Sequence, residues 1–126
     1  AFDKVRNHFG VNRMAQAAAA AALADREHLA WVAGQVAASR ERIAAAAAAC
    51  GLAVLPSATN FVAVDCGGDG AFALKAMQAL LDRDIFVRKP MAPVLDRCIR
   101  VSAGPVEEID LFEEMLPDAL KAAREG

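Results

Sequence analysis

Arg100 stands in the middle of the pentapeptide CIRVS, residues 98–102. Ile99, Val101 and Ala103 alternate as one apolar face, while Cys98, Arg100 and Ser102 form the other. A guanidinium keeps its proton and presents five N–H donors in a planar fork. In the centre of a short strand it is therefore either a solvated surface group or a fixed receptor for a carboxylate or phosphate. Gly104-Pro105 ends the strand directly afterwards. Taken by themselves, Arg88 in DIFVRKP reads as a charged strand end, and Asn60 in ATNF as a turn-edge amide that caps local backbone.

Other chemistries find less support. Cys50, Cys66 and Cys98 form no CxxC pair, and His8 and His28 do not supply metal-ligand spacing, so no residue is assigned to a metal. The cysteines read as buried, reduced thiols of a cytoplasmic protein. No signal peptide is visible. A formal net charge of −2 gives no footprint for nucleic acid. The hydrophobic fraction is 56 % but rests largely on alanine, with six-residue runs at 17–22 and 44–49. That bias favours helices over a membrane span, and no long apolar stretch escapes charge or glycine.

The elements that must position these residues follow from period and caps. Asn12 caps an Ala-rich helix ending near Leu23. Asp25 caps a longer helix from Arg26 to about Cys50, with Leu29, Val32, Val36 and Ile43 as its apolar stripe, and Gly51 stops it. Gly34 inside this helix implies close packing, since it is less favourable than alanine there. The helix resembles a beam lying outside the remaining layers. LAVLPSATNFVAVDC holds two extended runs around a turn. Asp69 caps a helix to about Arg83 whose Phe72, Leu74, Met77, Leu80 and Leu81 face inward. DIFVRKP and residues 98–102 are two more strands. Pro105 opens the last helix. The order ααββαββα predicts an α/β (α+β) two-layer sandwich.

Three stretches, in order, resemble the C-terminal part of class I/II aminotransferases, the fold type I pyridoxal-phosphate enzymes. They are NHFGVNRMAQAAAAAAL (7–23), GLAVLPSATNFVAVD (51–65) and IFVRKPMAPVLDRCIRVSAGPVEEIDLF (85–112). S-x-T-N-F and R-C-I-R-V-S-x-G-x-x-E-E are similar to the histidinol-phosphate aminotransferase branch. The resemblance implies that Arg100 receives the anionic group of the substrate, that Arg88 assists, and that Asn60 lies on the substrate side of the small domain. It also implies that residues 7–12 reach the active site of the neighbouring subunit in a homodimer. His8 and Asn12 are the candidates there, beside the plain readings of surface histidine and helix cap.

The same resemblance makes an absence informative. The family's Schiff-base lysine lies in a Ser/Thr-x-x-Lys segment, and Lys4, Lys75, Lys89 and Lys121 all lack that context. No segment matches the groups that hold pyridoxal 5'-phosphate. The chain is therefore expected to be the C-terminal third of such an enzyme, inactive alone and carrying no catalytic or cofactor-binding residue. Residues 1–25 would be a remnant of the large cofactor domain, 26–51 the connecting helix and 52–126 the small domain. The parent would move an amino group between an amino acid, or an amino-alcohol phosphate such as histidinol phosphate, and a 2-oxo acid. A related pyridoxal-phosphate decarboxylase, or a stand-alone anion-binding module without catalysis, is the alternative.

Overall fold

The computed structural model describes residues 10–125. The described chain forms two compact units, one ending at Gly34 and the other beginning at Gln35. In the first unit, α1 (Arg13–Ala24) starts at Asn12, whose side chain accepts a hydrogen bond from the Ala15 N–H at 2.8 Å. None of its residues is buried. Asp25 caps α2 (Arg26–Ala49) by accepting from the His28 N–H at 3.0 Å. His28 stacks on Trp31, with ring centroids 5.6 Å apart.

The second unit contains the second half of α2 together with β1 (Ala53–Val54), β2 (Phe61–Asp65), α3 (Gly70–Leu81), β3 (Cys98–Ser102) and α4 (Val106–Glu125). The three strands form an antiparallel sheet in the order β1-β2-β3. Strand alternation sends Val62, Val64, Ile99 and Val101 to one face, where all four are buried in the core with α3 and α4. Phe112, Leu116 and Leu120 supply the large side chains of α4 to the same core.

Several sequence expectations change at this level. The second half of α2 is not outside the sandwich: Ile43 and Ala47 are fully buried in its core. Buried Ser39 accepts from the Gly104 N–H at 3.2 Å, which ties α2 to the turn after β3. Arg42 makes a two-pronged pair with Glu113 at 2.8 and 2.7 Å and reaches Asp110 at 2.6 Å. These carboxylates raise its already high pKa, the Glu113 hydrogen bonds most. Leu29 of the expected stripe is exposed. Gly34 is not closely packed, because a Cβ there would meet nothing within 4 Å.

On α3, the core face is Ala73, Ala76, Ala79 and Leu80, whereas Leu74 and Leu81 are exposed. The spacing 73, 76, 80 forms one helical face, and its alanines let α3 approach α4 closely. Finally, DIFVRKP does not form a full strand. Only Arg88 pairs, as an isolated bridge to Arg100, because Asp84 has a positive φ of 61° and Pro90 has no N–H to offer. Gly51, at φ 73°, closes α2 as expected, with the Leu52 N–H bound to the Ala47 carbonyl at 2.9 Å.

Candidate functional site

The candidate site lies on the sheet face turned away from the core. The β2–β3 register pairs Phe61 with Ser102, Ala63 with Arg100 and Asp65 with Cys98, which places these alternate residues on one face. On the other edge of β3, Arg88 and Arg100 exchange both backbone hydrogen bonds: Arg88 N–H to Arg100 carbonyl at 3.1 Å, and the reverse at 2.6 Å. Directly paired residues project to the same side, so two arginines share the face.

Arg100 is half-buried. Its guanidinium carbon lies over the Phe61 ring, 4.9 Å from the centroid. Its Nε is buried and has no hydrogen-bond partner. Among the described residues no carboxylate pairs with Arg100 or Arg88, whereas two cations near them in sequence are paired. Lys89 pairs with Asp96, and Arg97 reaches Asp65 at 2.8 Å. A buried charged donor without a partner is costly, and an anion is the chemistry that completes it.

The Asp65 carboxylate feels opposing influences. Burial pushes its pKa up, but the Gly67 N–H at 2.8 Å and the Arg97 guanidinium outweigh that and hold it below the ordinary value. The Cys66 thiol is pushed up to about 11, chiefly by burial. Cys50, Cys66 and Cys98 are all free thiols, and the last two are buried.

Asn60 is brought to the same end of the sheet, with its carbonyl accepting from the Ala103 N–H at 2.8 Å. The local turn is capped by its neighbours instead: Ser57 Oγ donates to the Phe61 carbonyl at 2.6 Å, and Thr59 Oγ1 lies 3.3 Å from the same oxygen. Asn12 belongs to the other unit and serves as a helix cap. His8 lies outside the described residues. Phe61 is the residue that sequence reasoning missed. Its only sequence signal was parity, two positions before Ala63 on the Arg100 face.

Among the described residues no lysine completes this face as a Schiff-base site. Lys75 and Lys121 are exposed on α3 and α4, and Lys89 is held by Asp96. The described residues fit an anion receptor and do not by themselves fit a pyridoxal-phosphate site. They also hold no cluster of three or more potential metal ligands, and none of their helices is long and apolar enough to cross a membrane.

A family profile described as aminotransferase class I and II matches residues 1–116. The chain belongs to that family. Histidinol-phosphate aminotransferase from Roseiflexus castenholzii is 36 % identical over 117 residues, covering 91 % of this chain and 32 % of that protein. Histidinol-phosphate aminotransferase 1 from Mesorhizobium japonicum is 39 % identical over 119 residues, covering 94 % and 31 %. The crystal structure of the Sinorhizobium meliloti histidinol-phosphate aminotransferase in complex with pyridoxal-5'-phosphate superposes with a TM-score of 0.85 at 51 % identity. That match covers 95 % of this chain and 33 % of the other. The chain thus spans about a third of the length of the relatives it matches, and its α/β fold matches the corresponding part of that aminotransferase.

Proposed function

We propose that these 126 residues are the substrate-anion-binding, C-terminal part of a pyridoxal-phosphate-dependent aminotransferase close to the histidinol-phosphate branch. The observation that carries this reading is the pair of arginines bridged across the sheet edge, with the buried Arg100 Nε lacking a partner. Arg100 takes the substrate's carboxylate or phosphate, and Arg88 adds the second charge that a phosphate ester would require. Asn60 borders the same site. Residues 1–25, 26–51 and 52–126 are remnant, connector and small domain of the parent enzyme, a cytoplasmic homodimer, with the second half of the connector packed into the core of the small domain. His8 and Asn12 belong to a segment directed at the neighbouring subunit's site.

The parent's cofactor is pyridoxal 5'-phosphate, held with its Schiff-base lysine by residues other than these. The cofactor supplies the electron sink for amino transfer. This chain's own task is to orient the substrate through its anion and help exclude water when the small domain closes. Alone, the chain does not turn over.

The test is an amino-transfer assay on the full-length protein with amino acids or histidinol phosphate as donor and a 2-oxo acid as acceptor. Arg100→Ala should lose about 2–5 kcal/mol of transition-state binding, as expected for removal of one partner of a buried charge pair. Unchanged kcat/KM in that variant, or no transamination by the full-length protein, would overturn the proposal.

A further inference from the structure

We infer that Phe61 is a positioning residue for the anion receptor, a role that rests on the function proposed above. The Arg100 guanidinium lies over the Phe61 ring at 4.9 Å. The pair is a cross-strand diagonal: Phe61 opposes Ser102, and Arg100 opposes Ala63. Diagonal neighbours lie within reach of one another when one of them is aromatic and the other long. Alanine at 63 leaves open the space that a larger side chain opposite Arg100 would fill.

The ring attracts the cation through its face and occupies one side of the guanidinium plane. The in-plane N–H edges remain free, and these are the atoms that grip a carboxylate or phosphate in two-pronged fashion. Phe61 itself is held in place. Its carbonyl accepts from Ser57 Oγ at 2.6 Å, and Arg40 fixes the preceding turn through the Thr59 carbonyl at 2.8 Å. A long, flexible side chain is thereby reduced to one preferred plane before substrate arrives, which lowers the cost of binding.

The experiment compares wild type, Phe61→Leu, Phe61→Tyr and Arg100→Ala in the full-length protein, with folding checked by circular dichroism. Leucine keeps an apolar side chain but loses the π face, and tyrosine keeps both. Phe61→Leu should raise KM for the anionic substrate by about three- to twentyfold, with kcat changed far less. Phe61→Tyr should restore KM. Equal KM for wild type and Phe61→Leu, equal damage by leucine and tyrosine, or loss of folding in both variants overturns the inference while leaving the Arg100 reading intact if Arg100→Ala is impaired. A wild type without transaminase activity, or an Arg100→Ala variant with normal kinetics, overturns the proposed function and this inference with it.

Discussion

Arg88 and Arg100 face each other across the edge of β3, joined by two backbone hydrogen bonds, with both side chains starting from the same side of the sheet. Like charges directly opposite on an antiparallel pair destabilise it, by roughly 0.2–1 kcal/mol. On the function proposed above, an anion bound by both side chains would offset that repulsion.

The consequence is a change of sign with ligand. Without anion, Arg88→Ala should be neutral or stabilising by about 0.2–1 kcal/mol. With excess inorganic phosphate the wild type should gain thermal stability, and both Arg88→Ala and Arg100→Ala should lose most of that gain. Thermal unfolding of the three proteins with and without phosphate decides the matter. Equal phosphate gains in all three would leave the arginines without an anion-binding role.

Asp65 predicts an acid-side effect. Its carboxyl gives up its proton more readily folded than unfolded. Its contribution to stability is therefore complete above about pH 4 and fades as pH falls through the folded value. Urea midpoints measured between about pH 5.5 and about pH 2.5 should fall more steeply for wild type than for Asp65→Asn. Parallel curves would mean that the Arg97 and Gly67 contacts do not bias this proton.

The parts of the structure legible in sequence were those fixed by neighbours along the chain. Asn12, Asp25 and Asp69 cap the helices they precede, because an N-cap needs only a backbone N–H two or three residues away. The period-two pattern of 98–102 likewise gave β3 and the side of the sheet on which Arg100 stands. Errors arose where distant elements decide. The hydrophobic spacing of α3 made Leu74 and Leu81 core candidates, yet its close contact with α4 selects the alanine face. The Phe61–Arg100 stack depends on strand register, which no local pattern contains. The bridge that brings Arg88 beside Arg100 likewise closes a twelve-residue separation.

Gly34 lies inside α2 with open space where a Cβ would point. Gly34→Ala should therefore stabilise the 126-residue chain by roughly 0.5–1 kcal/mol, through helix propensity alone. Denaturant unfolding gives the value. A loss of stability would require a neighbour packed against this position, the role first suggested by the sequence.

Gly70 and Asp96 provide a coupled case. Gly70 is the first residue of α3, and a Cβ on it would run into the Asp96 carboxylate that pairs with Lys89. The obstacle is the end of a short side chain, so Gly70→Ala is accommodated by swinging Asp96 away and breaking that pair. The helix gains propensity from alanine while the exposed ion pair is lost, so the net change in stability should be near zero. In an Asp96→Ala background no carboxylate remains to be displaced, and the same substitution should be stabilising. The double-mutant cycle should thus give a coupling of about 0.3–1 kcal/mol between positions 70 and 96. Because Lys89 follows Arg88 directly, the cycle repeated in the full-length protein with saturating phosphate should show the coupling grow, as the anion requires Arg88 to be held in place. Additive effects in both conditions would separate the Lys89–Asp96 pair from the receptor.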